Sequence, residues 1–170
     1  MSTFERNRRT SRPQPLGPHD AAMLRAVGVV VLLAIGAMHF LQIVTTIKAT
    51  PALGLAYLVF IGACVGLAAA LVVGDELRTW AASGGVCVAA LGGYAFTRLI
   101  GTPFDNQDVG NWSCMLGLAA LFVETTMVAL SVYALAVRRS SADAALATGR
   151  VTTAREIVRN ASPFERATRN

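Results

Sequence analysis

Four long stretches of this chain carry almost no charge. They run over residues 26–47, 49–74, 79–97 and 109–137, and together they hold one acidic residue and one histidine. A helix needs about 20 apolar residues to cross a hydrocarbon core roughly 30 Å thick, and each stretch has about that length or more. The pattern therefore predicts an all-α, polytopic membrane protein in which four transmembrane helices form an up-down bundle.

Two other architectures fit the sequence poorly. A soluble helix shows a polar stripe, and the stretch 52–67 has none. A membrane β-barrel requires alternating polar and apolar residues, whereas these apolar runs are continuous. The composition agrees, because 54% of the residues are hydrophobic and 15% are charged, against roughly 25% charged in soluble domains.

The sequence predicts three regions. A basic, disordered arm over residues 1–21 precedes a membrane domain over 22–137, and a basic cytoplasmic tail occupies 138–170. In the tail, Thr153 and Glu156 have the spacing of a capping box, which predicts a short helix near 152–160. The four transmembrane helices are expected near residues 22–47, 52–74, 78–100 and 111–137.

The basic residues predict the orientation. Twelve of the 15 Lys and Arg residues lie in the first 25 residues or from Arg138 onward. Since Lys and Arg collect on the cytoplasmic side of membranes, both termini are expected in the cytoplasm. The arginines also favour contact with anionic lipid head groups. Nucleic-acid binding is not expected, because the arginines are dispersed and the sequence contains no recognisable nucleic-acid-binding motif.

Small residues recur in the predicted spans. Gly62 and Gly66 form a GxxxG motif, which allows helix backbones to approach closely in membranes. We expect this motif to pack inside one four-helix bundle. A homo-oligomer, or docking to another membrane protein, is the alternative use of such a face.

Three titratable residues in the predicted spans are the main functional candidates, because such residues are costly inside a bilayer. At 1.5 Å rise per residue, His39 and Glu124 fall in the outer half of the bundle, and Arg98 falls at its outer end. Gln42 shares a helix face with His39, and Tyr94 shares one with Arg98. We expect these side chains to converge.

Their convergence is open to two interpretations. In the structural one, Glu124 pairs with Arg98, or is protonated and hydrogen-bonded to His39 or Tyr94. In the functional one, they build a polar pocket that faces outward. The sequence contains no catalytic motif, and no cofactor or metal is predicted.

The loop before the fourth span is a second group of candidates. It ends the third helix at Gly101, and Trp112 suits the interfacial aromatic belt. Its polar side chains would lie over the mouth of the bundle. The candidates of this outer loop are Asp105, Asn106, Asp108, Asn111 and Trp112.

The residues from the third to the fourth span carry a resemblance. The sequence GGYAFTRLIGTP at 92–103, the pair Asn111-Trp112, and residues 116–118 and 123–124 resemble a pattern in small four-span integral membrane proteins of high-GC Gram-positive bacteria. The resemblance implies that Arg98 and Glu124 belong to one recurring unit, and it implies a bacterial plasma membrane. It implies no activity.

The function predicted first is that of a non-enzymatic accessory or ligand-sensing component of the plasma membrane. The second hypothesis is a small transporter or proton-coupled carrier that acts as an oligomer. The third is an intramembrane enzyme that acts on a lipid-soluble substrate. Each hypothesis places the function in the pocket around His39, Arg98 and Glu124.

Overall fold

The computed structural model describes residues 17–101 and 109–167, and these residues form helices and short connections. The all-α class is therefore confirmed for the described part of the chain. Its helices, in chain order, are α1 (Pro18–Ala49), α2 (Pro51–Val73), α3 (Leu77–Leu99) and α4 (Met115–Ala167).

Three of these helices contain a segment long and apolar enough to cross a membrane: Pro18–Ala49, Pro51–Val73 and Met115–Asp143. This composition is compatible with an integral membrane protein. The helix α3 is not among them, although it has 23 residues. Its charge-free stretch is rich in Gly, Ala and Ser, which add little hydropathy, so its role as a fourth span stays a prediction.

Two of the helices begin at residues that suit the first turn of a helix. Both α1 and α2 start at a proline, whose missing N–H costs nothing in a first turn. The predicted arm is therefore too long, since α1 starts at Pro18 and Asp20 lies in its first turn. The residues before Gly17 lie outside the described part of the chain.

The last helix is longer than predicted. The sequence predicts a tail from residue 138 with its own short helix, whereas α4 continues as one helix to Ala167. No proline occurs between residues 115 and 162, so nothing in the backbone stops the helix earlier. The chain divides into two compact units, Leu16–Leu135 and a second unit that contains Ala136–Asn170, and the candidate site belongs to the first.

Within the first unit, α1 and α2 run antiparallel. Near the turn between α2 and α3, the guanidinium of Arg25 donates to the carbonyls of Leu71 and Val72 at 2.9 and 2.6 Å. These carbonyls lie in the last turn of α2, where a cation is favourable. At the opposite end, a Cβ added at Gly54 would lie 2.7 Å from the backbone of Ile47.

The core of this unit surrounds Trp80, the largest fully buried side chain. A Cβ added at Gly28 would lie 2.9 Å from the Trp80 ring, so α1 packs directly on the indole. The indole N–H donates to Asp75 at 2.9 Å. We call this region the packed half. It also contains Leu32, Ile35, Cys64, Ala68, Leu71, Cys87, Met127 and Ala134.

The GxxxG motif does not pack inside the unit, which corrects that expectation. A Cβ added at Gly62 or Gly66 would meet no described atom within 4 Å. The glycines that do allow close approach are isolated. Gly28 faces Trp80, and a Cβ added at Gly84 would lie 2.9 Å from the Cβ of Ser131. A sequence motif cannot indicate this, because the direction of the face depends on the rotation of the helix.

Candidate functional site

The structure brings His39 of α1 and Glu124 of α4 together. The imidazole Nε2 lies 3.5 Å from the carboxyl Oε1, and both residues are buried, with 7% and 2% of their surfaces exposed. On its other side, the imidazole Nδ1 lies 3.0 Å from the Ile35 carbonyl of the preceding turn. Of the pairings that the sequence left open, the structure contains this one.

These contacts show which partner each ring nitrogen of His39 faces. The Ile35 carbonyl oxygen only accepts hydrogen bonds, so the imidazole Nδ1 carries a proton and donates it. In the neutral ring, Nε2 then has a lone pair facing the carboxyl group. The contact is attractive when one further proton lies between Nε2 and Oε1. In that state the pair carries zero net charge.

Two aromatic rings of α2 enclose the imidazole. The ring centroids of Tyr57 and Phe60 lie 5.0 and 4.6 Å from that of His39. Sequence reasoning missed both residues. They lie about one turn apart in a helix that is apolar on all sides, so no polar face indicates which side meets α1.

Arg98 does not pair with Glu124. Its guanidinium lies over the ring of Tyr94, with Cζ 4.9 Å from the ring centroid, which is a cation–π arrangement. The Tyr94 ring also meets Trp112 edge to face at 6.1 Å. Arg98 is buried, with 9% of its surface exposed, so it is held within the unit.

Because Gly117 has no side chain, the Tyr94 ring can lie directly against the backbone of α4. A Cβ at that position would lie 2.9 Å from the ring carbon Cε2 and 3.2 Å from the hydroxyl oxygen. The Tyr94 ring thus occupies the space that a side chain at residue 117 would fill. Within the described ranges, the buried Tyr94 hydroxyl has no hydrogen-bond partner.

A cavity of about 870 Å³ lies beside these residues. Its walls come mainly from apolar residues of α2 and α3, and its polar lining includes His39, Tyr94, Arg98 and Glu124. The volume falls within the range of about 300–1,000 Å³ that is typical of small-molecule sites. We call this region the cavity half, in contrast to the packed half around Trp80.

The cavity opens sideways between α2 and α3. Val59 on α2 and Phe96 on α3 both line it, and both are exposed on the surface, at 67% and 48%. The helix α2 packs along α1 over most of its length but touches α3 much less. The two helices therefore leave a gap whose rim is apolar.

The remaining predicted residues have less central positions. Gln42 lines the cavity, and its amide makes a long contact of 3.5 Å to the Met38 carbonyl. Asn111 is exposed and is not part of the cavity lining, and Trp112 reaches the site only through Tyr94. Three outer-loop candidates lie outside the described residues: Asp105, Asn106 and Asp108.

Among residues 17–101 and 109–167, no group of three or more His, Cys, Asp or Glu side chains could hold a metal ion. The cysteines are free thiols, with Cys64 and Cys87 buried and Cys114 partly exposed. Comparison with models of protein families, with curated proteins and with solved structures finds no significant match to this chain.

Proposed function

We propose that this protein is a non-enzymatic membrane protein that binds a lipid-soluble small molecule in the cavity half, as an accessory or ligand-sensing component. The observation that carries the proposal is the cavity itself. Its lining is mostly apolar with a few polar side chains, and exposed apolar residues of α2 and α3 form its rim. A ligand dissolved in the bilayer would reach it sideways, without crossing water.

The geometry favours binding over transport. A carrier needs access to its central group from both sides of the membrane. On one side of the His39–Glu124 pair lies the cavity, and on the other lies the packed half, where Leu32, Cys64 and Met127 have no exposed surface. A carrier would have to separate these side chains in every cycle, which makes the oligomeric transporter the second candidate.

An intramembrane enzyme is the third candidate, since a lateral opening beside a carboxyl group also suits a lipid-soluble substrate.

The membrane arrangement is part of the proposal. We infer that α3 is a fourth span in an up-down bundle, because α1 pairs antiparallel with α2, and Gly84 and Ser131 join α3 to α4. The distribution of arginines supports cytoplasmic termini and contact of the tails with anionic lipid. The motif around Arg98 supports a bacterial plasma membrane protein of the small four-span class that it resembles.

Cavity binding is testable with two neighbouring glycines of α3. Gly92 and Gly93 both have no atom within 4 Å of an added Cβ, but only Gly93 lines the cavity. Gly93→Phe therefore fills the cavity, and Gly92→Phe is the matched control. A brominated long-chain alcohol serves as the probe, because bromine quenches the fluorescence of a nearby indole such as Trp112.

In lipid nanodiscs, the wild type should show quenching that saturates at a low mole fraction of the probe. Gly93→Phe should weaken this component about tenfold or more, which corresponds to a loss of about 1.4 kcal/mol of binding free energy. Gly92→Phe should leave it unchanged. Quenching that never saturates, or that both variants reduce equally, would show that the cavity is not a binding site.

A further inference from the structure

The polar side chains of the cavity differ in how accessible they are to a ligand. His39, Arg98 and Glu124 are buried, with at most 9% of the surface of each exposed. Gln42 on α1 and Thr97 on α3 line the same cavity and are only partly buried. A head group inside the cavity can therefore contact these two side chains without displacing a packed residue.

The Thr97 hydroxyl has already used its proton. It donates to the Tyr94 carbonyl of the preceding turn at 2.9 Å, a local bond that threonine side chains form in helices. The hydroxyl oxygen keeps lone pairs that can accept a hydrogen bond. Thr97 thus presents an acceptor to the cavity.

The Gln42 carboxamide presents a second acceptor. Its nitrogen makes a long contact of 3.5 Å to the Met38 carbonyl, so this end of the side chain turns back along α1. Among residues 17–101 and 109–167, no hydrogen bond reaches its oxygen. An unpaired carbonyl oxygen is costly in apolar surroundings, and a ligand that donates a hydrogen bond removes this cost.

We propose that the ligand is a lipid-soluble alcohol whose hydroxyl donates a hydrogen bond to the Gln42 carboxamide oxygen, with Thr97 as a second acceptor in the cavity. This inference rests on the proposed function and names its ligand class. Two acceptors favour a head group that donates, and a neutral hydroxyl enters an apolar site at much lower cost than an ion. The apolar chain of the ligand lies between α2 and α3, where Val59 and Phe96 form the rim.

The test compares two brominated probes of one chain length: a long-chain alcohol, and its methyl ether, which accepts hydrogen bonds but cannot donate one. Each is titrated into nanodiscs that contain the full chain, and the saturable quenching of indole fluorescence is measured. The variants are Gln42→Met, which keeps the length of the side chain, and Thr97→Val, which keeps its shape. The control is Asn111→Leu, which removes an exposed carboxamide outside the cavity lining.

We expect the wild type to bind the alcohol about three- to tenfold more tightly than the ether, the range expected for one hydrogen bond. Gln42→Met should lose most of this preference, Thr97→Val should lose less, and Asn111→Leu should keep it. Unchanged binding of the ether to Gln42→Met shows that the cavity is intact. If this variant loses the ether as well, the wild-type preference and Thr97→Val decide.

Equal binding of the alcohol and the ether to the wild type would overturn the inference but leave cavity binding standing. A full preference for the alcohol in both cavity variants would do the same. If neither probe gives a saturable component, the proposed function itself fails.

Discussion

The packed half and the cavity half are built from the same four helices but differ in what separates those helices. Around Trp80, an aromatic ring fills the space beside a glycine, and the apolar side chains are fully buried. Around Glu124, α2 and α3 leave a gap of about 870 Å³, and polar groups take the place of a packed layer. The difference indicates that stability resides mainly in the first half, which leaves the second free for a ligand.

The largest expected effect comes from truncating one aromatic residue in each half and comparing the two losses of stability. Trp80→Ala should lower the free energy of unfolding by about 3 kcal/mol, at the low end of the range for core aromatics, because lipid reduces the benefit of apolar burial. Phe96→Ala in the half-exposed cavity rim should cost less than about 1 kcal/mol. Unfolding in mixed micelles measures both, and equal losses would contradict the comparison.

A smaller effect is expected from adding a methyl group at two glycines that are equally close to an aromatic ring. An added Cβ would lie 2.9 Å from Trp80 at Gly28 and 2.9 Å from Tyr94 at Gly117. Trp80 has no room to move, so Gly28→Ala should cost about 1–3 kcal/mol. Tyr94 can shift into the cavity, so Gly117→Ala should cost less than about 1 kcal/mol.

Gly62→Ala provides the baseline for this pair, since no described atom lies within 4 Å of the added methyl group. It should change the unfolding free energy by no more than about 0.5 kcal/mol. Thermal unfolding in one detergent compares the three variants directly. A larger loss at Gly117 than at Gly28 would mean that the cavity half is the more rigid of the two.

The smallest expected effect concerns the His39–Glu124 pair. A double-mutant cycle with His39→Phe and Glu124→Leu should give a coupling energy of about 0.6 kcal/mol, the average that such cycles give for polar contacts between membrane helices. Phenylalanine keeps a ring beside Tyr57 and Phe60, so the cycle isolates the polar contact. A coupling energy near zero in unfolding measurements would mean that the pair contributes nothing to stability.

Much of the candidate site could be predicted because titratable residues are rare in the apolar stretches. His39, Arg98 and Glu124 stand out for that reason, and the structure brings all three to one cavity. The partners of these residues could not be predicted. Whether Glu124 meets His39 or Arg98 depends on the rotation of each helix about its axis, which a uniformly apolar helix does not reveal.

By itself, the sequence determined that the chain is helical and where its apolar helices lie, because uncharged runs of this length bury their backbone polar groups only as helices in lipid. It also predicted an orientation from the arginines. Only the tertiary structure decided that Tyr94 occupies the space at Gly117, that Tyr57 and Phe60 enclose His39, and that Gly62 faces away. The physical reason is that these contacts join residues far apart in the chain, and their distances depend on how the helices cross.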